Sequence, residues 1–211
     1  MEIKAQSSKL KAQKERYGLK NIKPGIRYLN DIKDVLYDKK WAKGAKNFEL
    51  YYMYRGIKSE NGLRYDITVI PPAFLGKEFV KTKGHEHLAN YGELYTVLEG
   101  QGIYLMQKMK GNKIKDVYAV KAKKGETVII PSGYGHVTIN SSREKNLLTA
   151  NWVSEDCQGF YDLFIRKQGA CYYFTEKGWI KNKNYQKVPK LRFETPLKSL
   201  PGNLEFLKQS D

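Results

Sequence analysis

The chain has 211 residues, 41% of them hydrophobic and 13% aromatic. That is enough for one domain with a buried core, alone or with extensions. Lys and Arg total 38 against 22 Asp and Glu, for a formal charge of +16. No apolar run approaches the roughly 20 residues of a membrane span, and "MEIKAQSSKLKAQKERYG" lacks the apolar stretch of a signal peptide. Two cysteines, Cys157 and Cys171, are too few for a disulfide scaffold and are expected as free thiols in a reducing cytoplasm.

The positive charge raises nucleic-acid binding as one possibility. The lysines are scattered over the whole chain, with no Arg-rich tract and no recognisable binding motif. The expectation is therefore no nucleic-acid partner and no membrane partner. A small anionic substrate is the simpler recipient of a local positive excess.

In chain order, residues 1–24 read as a basic arm, either loose or a short helix. "RYLNDIKDVLYDKKW" (27–41) carries Asn30 or Asp31 as a cap before an irregular apolar pattern, and predicts a short helix. From Glu49 the character changes. "ELYYMYRGI", "LRYDITVI", "EFVKTKGHEH", "ELYTVLEG", "GIYLMQKM", "DVYAVKA", "ETVIIP", "HVTINS" and "NLLTANWV" are short, rich in β-branched and aromatic residues, and bounded by Gly, Pro, Asn or Ser. That spacing predicts an antiparallel sandwich or barrel. "KGNK" (110–113) is a hairpin turn. A basic, Pro-interrupted extension follows from Lys181, with one short helix near its end. The expected division is a 1–24 arm, a 25–180 barrel and a 181–211 extension.

The chain has three histidines, and two lie in "KTKGHEHLANYGELY" (81–95). On a strand, His85 and His87 share a face and Glu86 takes the other. Glu93 opens the next strand, with Tyr95 on its side. Such a histidine pair alone fits surface or core residues as well as a ligand pair. Glu93, and His136 after the turn-forming "PSGYG", favour a divalent metal held by imidazole and carboxylate with positions left open.

"HEHLANYGELYTVLEG" resembles the first cupin motif. "GETVIIPSGYGHVTIN" matches the second, through Gly125, Pro131, Gly133, His136 and Asn140. The resemblance implies a mostly-β double-stranded β-helix (jelly-roll) barrel, with short helical segments at both ends. It implies His85, His87, Glu93 and His136 as the metal ligands. A narrower likeness covers about residues 25–165: "TVIPPAFLGKEFVKTKGHEH" and "RYLNDIKDVLYDKKW" are similar to the cupin-type phosphoglucose isomerases first known from archaea. That resemblance implies isomerisation of glucose 6-phosphate and fructose 6-phosphate in glycolysis and gluconeogenesis. It implies one divalent ion per subunit (Fe2+ first, then Mn2+, Ni2+ or Zn2+), a phosphorylated sugar as partner, and a homodimer.

Carried over onto this chain, Glu93 and Tyr95 are the catalytic candidates. Tyr51, Thr68, Thr82 and Gly84 are the sugar and phosphate contacts, and Lys81 and Lys83 would add positive potential at the mouth. The chain departs from the pattern at Ala73, in a shorter loop before Glu93, and in "NWVSEDCQGFY". There Trp152 replaces a tyrosine, no histidine stands near Gln158 or Gly159, and Tyr161 takes the place of a later tyrosine. These departures leave room for a cupin acting on another phosphosugar, a cupin dioxygenase, or a non-enzymatic sugar-binding cupin.

Overall fold

A computed structural model describes residues 11–89 and 91–208. The first ten residues of the basic arm, Asn90 in the loop before Glu93, and the last three residues of the extension lie outside them.

The strands are β1 (Gly25–Tyr28), β2 (Glu49–Glu60), β3 (Leu63–Ile70), β4 (Phe74–Leu75), β5 (Glu78–Phe79), β6 (Glu86–His87), β7 (Glu93–Glu99), β8 (Gln101–Lys110), β9 (Lys113–Lys123), β10 (Thr127–Ile130), β11 (Gly135–Asn140), β12 (Leu147–Ser154), β13 (Gly159–Phe160), β14 (Tyr172–Thr175), β15 (Gly178–Lys181) and β16 (Arg192–Glu194). One sheet has the order β1-β2-β3-β12-β7-β10 and a second the order β11-β8-β9-β16. Between β7 and β12 the chain passes back and forth between them: β7, β10 and β12 lie in the first, β8, β9 and β11 in the second. This is the double-sheet barrel of the cupins, mostly β with a few short helical turns.

Gly100 is one crossing point. Its φ is +78°, and a Cβ there would stand 2.4 Å from the Asn146 carbonyl oxygen, so only glycine lets β7 pass directly into β8. The β8–β9 hairpin turns at 110–113, with Lys110 opposite Lys113. Asn140 closes another loop: its amide donates to the Ile70 and Lys145 carbonyls at 2.8 and 2.9 Å, and its oxygen accepts the Ser142 N–H at 3.0 Å.

The segment 27–41 is not one helix. β1 ends in it, two 3-10 turns follow (Leu29–Asp31 and Lys33–Val35), and a six-residue α-helix (Lys39–Gly44) begins where Asp38 accepts the Trp41 N–H at 3.0 Å. The apolar residues sit at 29, 32 and 35, a period of three that suits the tighter helix. Leu29, Ile32, Val35 and Leu36 are fully buried in the main core with Leu50, Ile70, Leu75 and Leu105. Each contributes roughly 1.5–3 kcal/mol of burial, which outweighs local helix preference. The predicted strand 78–87 is also interrupted. Only β5 and β6 are regular, with a bulged run between them.

Past residue 165 the chain adds the β14–β15 hairpin, and β16 then runs parallel to β9. The backbones of Thr127 and Leu197 exchange hydrogen bonds at 2.9 and 2.8 Å. The extension therefore ties the edge strand β10 of one sheet to β9 of the other. The short helix expected near its end is a 3-10 turn, Glu205–Leu207, which buries Leu207.

Candidate metal centre and substrate cavity

His85 and His136 are placed by backbone pairing. Lys81 bridges Ile139 and His85 bridges His136, so four steps along one chain (81 to 85) face three along the other (136 to 139). The extra residue makes a bulge, and Gly84 sits in it at φ +80°. A Cβ at Gly84 would lie 2.5 Å from Phe164 and 2.7 Å from Val137. The bulge therefore needs a residue with neither a φ preference nor a side chain. It turns His85 inward, its ring 4.4 Å from that of His136 and 5.2 Å from that of His87. β7 delivers Glu93. One donor atom from each of His85, His87, Glu93 and His136 falls within 4.8 Å of all the others.

The donor set fits a cation. Glu93 Oε2 lies 3.2 Å from His136 Nε2 and 3.3 Å from His87 Nε2. Despite those distances, among the described residues it has no partner at hydrogen-bond angles, and His136 Nδ1 is likewise buried without one. Buried polar atoms are rarely left so. His87 Nδ1 lies 3.0 Å from the Tyr91 carbonyl. As a donor there it fixes the ring and turns Nε2 toward the cluster, the arrangement that orients a ligating histidine.

Burial, with His136 alongside, holds His85 well below the usual histidine range, and burial also lowers His136. Both are neutral, as ligands must be. Burial alone would raise the Glu93 carboxyl, but His136 and His87 beside it hold it well below the usual carboxylate range. Burial lowers His87, and the Cys157 thiol and Glu93 carboxylate reverse that, to about 10. A divalent ion bound at Nε2 requires that ring to be deprotonated. Burial and the Glu93 charge push Tyr95 well up. It stays a neutral phenol, its hydroxyl 3.3 Å from His136 Nε2.

His85, Glu93 and Tyr95 open into a cavity. Tyr51, Thr68, Thr82, Gly84 and Tyr161 all line it. Thr82 has a second duty: its hydroxyl accepts the Thr138 N–H at 3.0 Å. The Tyr51 hydroxyl accepts the Lys83 N–H at 3.3 Å. The Tyr161 ring lies 5.6 Å from His85.

Sequence reasoning missed Arg27, Arg55, Arg64, Asp66 and Asn151, which also line the cavity. The signal was strand alternation. Counting by twos from Tyr51 reaches 53 and 55, and counting back from Thr68 reaches 66 and 64. Asp66, Asn151 and Tyr95 form one row across β3, β12 and β7. Asp66 is engaged, accepting from Arg64 at 3.1 Å and from the Gly56 N–H at 2.8 Å.

Two expectations are corrected. Trp152 does not face the cavity in place of a tyrosine. It packs on the other face of β12 with Leu63, Leu94 and Leu207, and Asn151 is the β12 residue that lines the cavity. Lys81 is not at the mouth. It is 4% exposed, paired with buried Glu78 at 2.7 Å and donating to the Val35 carbonyl at 2.9 Å. Lys83 does line the cavity. Cys157 and Cys171 are both free and buried, and no helix among the described residues is long and apolar enough to cross a membrane.

Barrel, buried His/Glu cluster and cation-rimmed cavity together define a cupin with a site able to hold a metal. A sequence model of the family glucose-6-phosphate isomerase (GPI) matches residues 26–190. The glucose-6-phosphate isomerase of Thermococcus litoralis is 31% identical over 144 residues, covering 65% of this chain and 73% of that protein. That of Pyrococcus abyssi is 30% identical over 137 residues, covering 62% and 70%. Among solved structures, the capsular polysaccharide assembling protein CapF from Staphylococcus aureus is similar over 49% of this chain and 26% of its own, at 18% identity and a TM-score of 0.39. The chain belongs to the glucose-6-phosphate isomerase family.

Proposed function

We propose that this protein interconverts glucose 6-phosphate and fructose 6-phosphate, with His85, His87, Glu93 and His136 as ligands to one divalent metal ion per subunit. The observation that carries the reading is the convergence of these four donors beside a cavity rimmed by Arg27, Arg55, Arg64 and Lys83. The cations suit a phosphate and the donors suit a divalent ion. Family membership supports the same reaction. Fe2+ is the first choice of ion, and Mn2+, Ni2+ and Zn2+ suit the same donors.

The reaction moves hydrogen between C1 and C2 of an open-chain sugar. When bound, the ion supplies Lewis-acid stabilisation of the charge that develops on the two oxygens. Glu93, held as a carboxylate, is the group that takes and returns a proton at C1 and C2. Tyr95, held as a neutral phenol beside it, donates a hydrogen bond to that carboxylate or to a sugar oxygen. Tyr51, Thr68, Thr82 and the Gly84 backbone bind sugar and phosphate, and Tyr161 closes the cavity over His85.

The protein acts in the cytoplasm as a homodimer, and β1, which among the described residues pairs on one side only in the larger sheet, supports pairing of N-terminal strands. One observation favours a second reading, isomerisation of a different phosphosugar: an amide, Asn151, lines the cavity between Asp66 and Tyr95.

The test is a coupled assay on chelator-stripped protein with each metal added back. Metal-dependent formation of glucose 6-phosphate from fructose 6-phosphate supports the first reading. Metal binding without turnover moves the substrate to another phosphosugar.

A further inference from the structure

The cavity has four cationic side chains, and they are not equivalent. Arg64 is committed to Asp66, Nε to Oδ2 at 3.1 Å. Arg55 is exposed, and its Nη2 lies against the Met53 sulfur at 3.3 Å. Lys83 extends over the Tyr161 ring, 5.6 Å from its centroid. Arg27 differs from all three. It is half-buried on the edge strand β1, directly opposite Tyr51 on β2. Its Nε is enclosed and has no hydrogen-bond partner among the described residues. A guanidinium nitrogen withdrawn from water and left unbonded costs free energy that a ligand anion would recover.

Other lining residues connect Arg27 to the candidate metal ligands. Tyr51, opposite Arg27, accepts the Lys83 N–H at 3.3 Å. Lys83 is two residues from the metal-ligand candidate His85, across the bulge at Gly84. Arg27, Tyr51, Lys83 and His85 thus line one cavity.

We propose that Arg27 is the specificity-determining residue of the cavity: its guanidinium fork binds the phosphate of the substrate and selects phosphorylated over neutral sugars. This rests on the reading of the cavity as a sugar-phosphate site. Arg pairs with phosphate through parallel N–H donors, which Lys lacks.

The experiment uses the metal-loaded, full-length protein with Arg27→Gln and Arg27→Lys. KM for glucose 6-phosphate is expected to rise about tenfold or more in Arg27→Gln, with kcat within about threefold. The Kd of inorganic phosphate, by titration calorimetry, should rise in parallel, and any turnover of unphosphorylated glucose should be unchanged. Arg27→Lys should fall between, and it decides the matter if the Gln variant does not fold. Native KM and native phosphate affinity in Arg27→Lys and Arg27→Gln would overturn the assignment, as would an equal loss on glucose, while the isomerase reading stood. If the native protein isomerises neither sugar, that reading falls. The phosphate titration still decides Arg27, because equal Kd in native and Gln proteins would sink it.

Discussion

His85 and His136 are joined through their backbones: His85 N donates to the His136 carbonyl at 3.2 Å, and His136 N donates to the His85 carbonyl at 2.9 Å. Neither bond involves an imidazole, so removing a ring leaves the bridge in place. His136→Ala is expected to lower metal affinity by at least about tenfold, read as bound metal per chain after dialysis. The melting temperature of the metal-free protein should stay within about 5 °C of native. Full metal content in this variant would show the ligand set to be wrong.

Glu93→Gln keeps the shape of the side chain and removes its charge. The carboxylate is held ionised by His136 and His87 against the burial that opposes it. At saturating metal, kcat should fall about 10²- to 10⁴-fold, as for loss of a general base, with a much smaller change in KM. Tyr95→Phe, which removes only a hydroxyl, should lower kcat less. Unchanged turnover in Glu93→Gln would take Glu93 out of the chemistry.

Gly84→Ala combines an unfavourable φ with a Cβ driven into Phe164 and Val137. The expected cost is roughly 2–4 kcal/mol, measured by urea denaturation. Metal affinity should fall with it, because His85 is the next residue. A variant as stable as native would mean that the bulge can be rebuilt without glycine.

Glu78 and Lys81 form a buried ion pair of 2.7 Å, and Glu78 also accepts the Tyr37 N–H at 2.7 Å. Glu78→Gln leaves a buried ammonium without its counter-charge, which costs about 3–5 kcal/mol. Adding Lys81→Met should recover most of that loss, since the orphaned charge is then gone. Denaturation midpoints of the single and double variants decide it. A double variant no more stable than the single one would count against the pair as the cause.

Much of the barrel was readable from the chain. β3 runs over the predicted "LRYDITVI" without a residue of difference, and β7, β8, β11 and β12 differ from their predicted runs by a residue or two at the ends. These are long segments of β-branched and aromatic residues with clear turn punctuation. The segment 27–41 was harder, because apolar residues at 29, 32, 35 and 36 suit an α-helix and a pair of 3-10 turns alike. Burial of all four against the barrel decided between them. In 78–87 the composition is that of a strand, but the bulge at Gly84 exists only because Ile139 and His136 pair on either side of it.

The chemistry available is legible in the residues alone: three imidazoles, an acidic residue spaced to join two of them, and a turn that sets His136 after glycine and proline. Those are properties of residue type and local order. Which side chains share the cavity follows from how the strands pair. Facing is a parity counted along each strand, and every bulge resets the count. The bulges arise from pairing with strands far away in the chain. That is why Asn151 faces inward and Trp152 does not, why Lys81 turns into the core toward Glu78, and why Arg27, from the edge of the sheet, comes to stand opposite Tyr51 at the cavity.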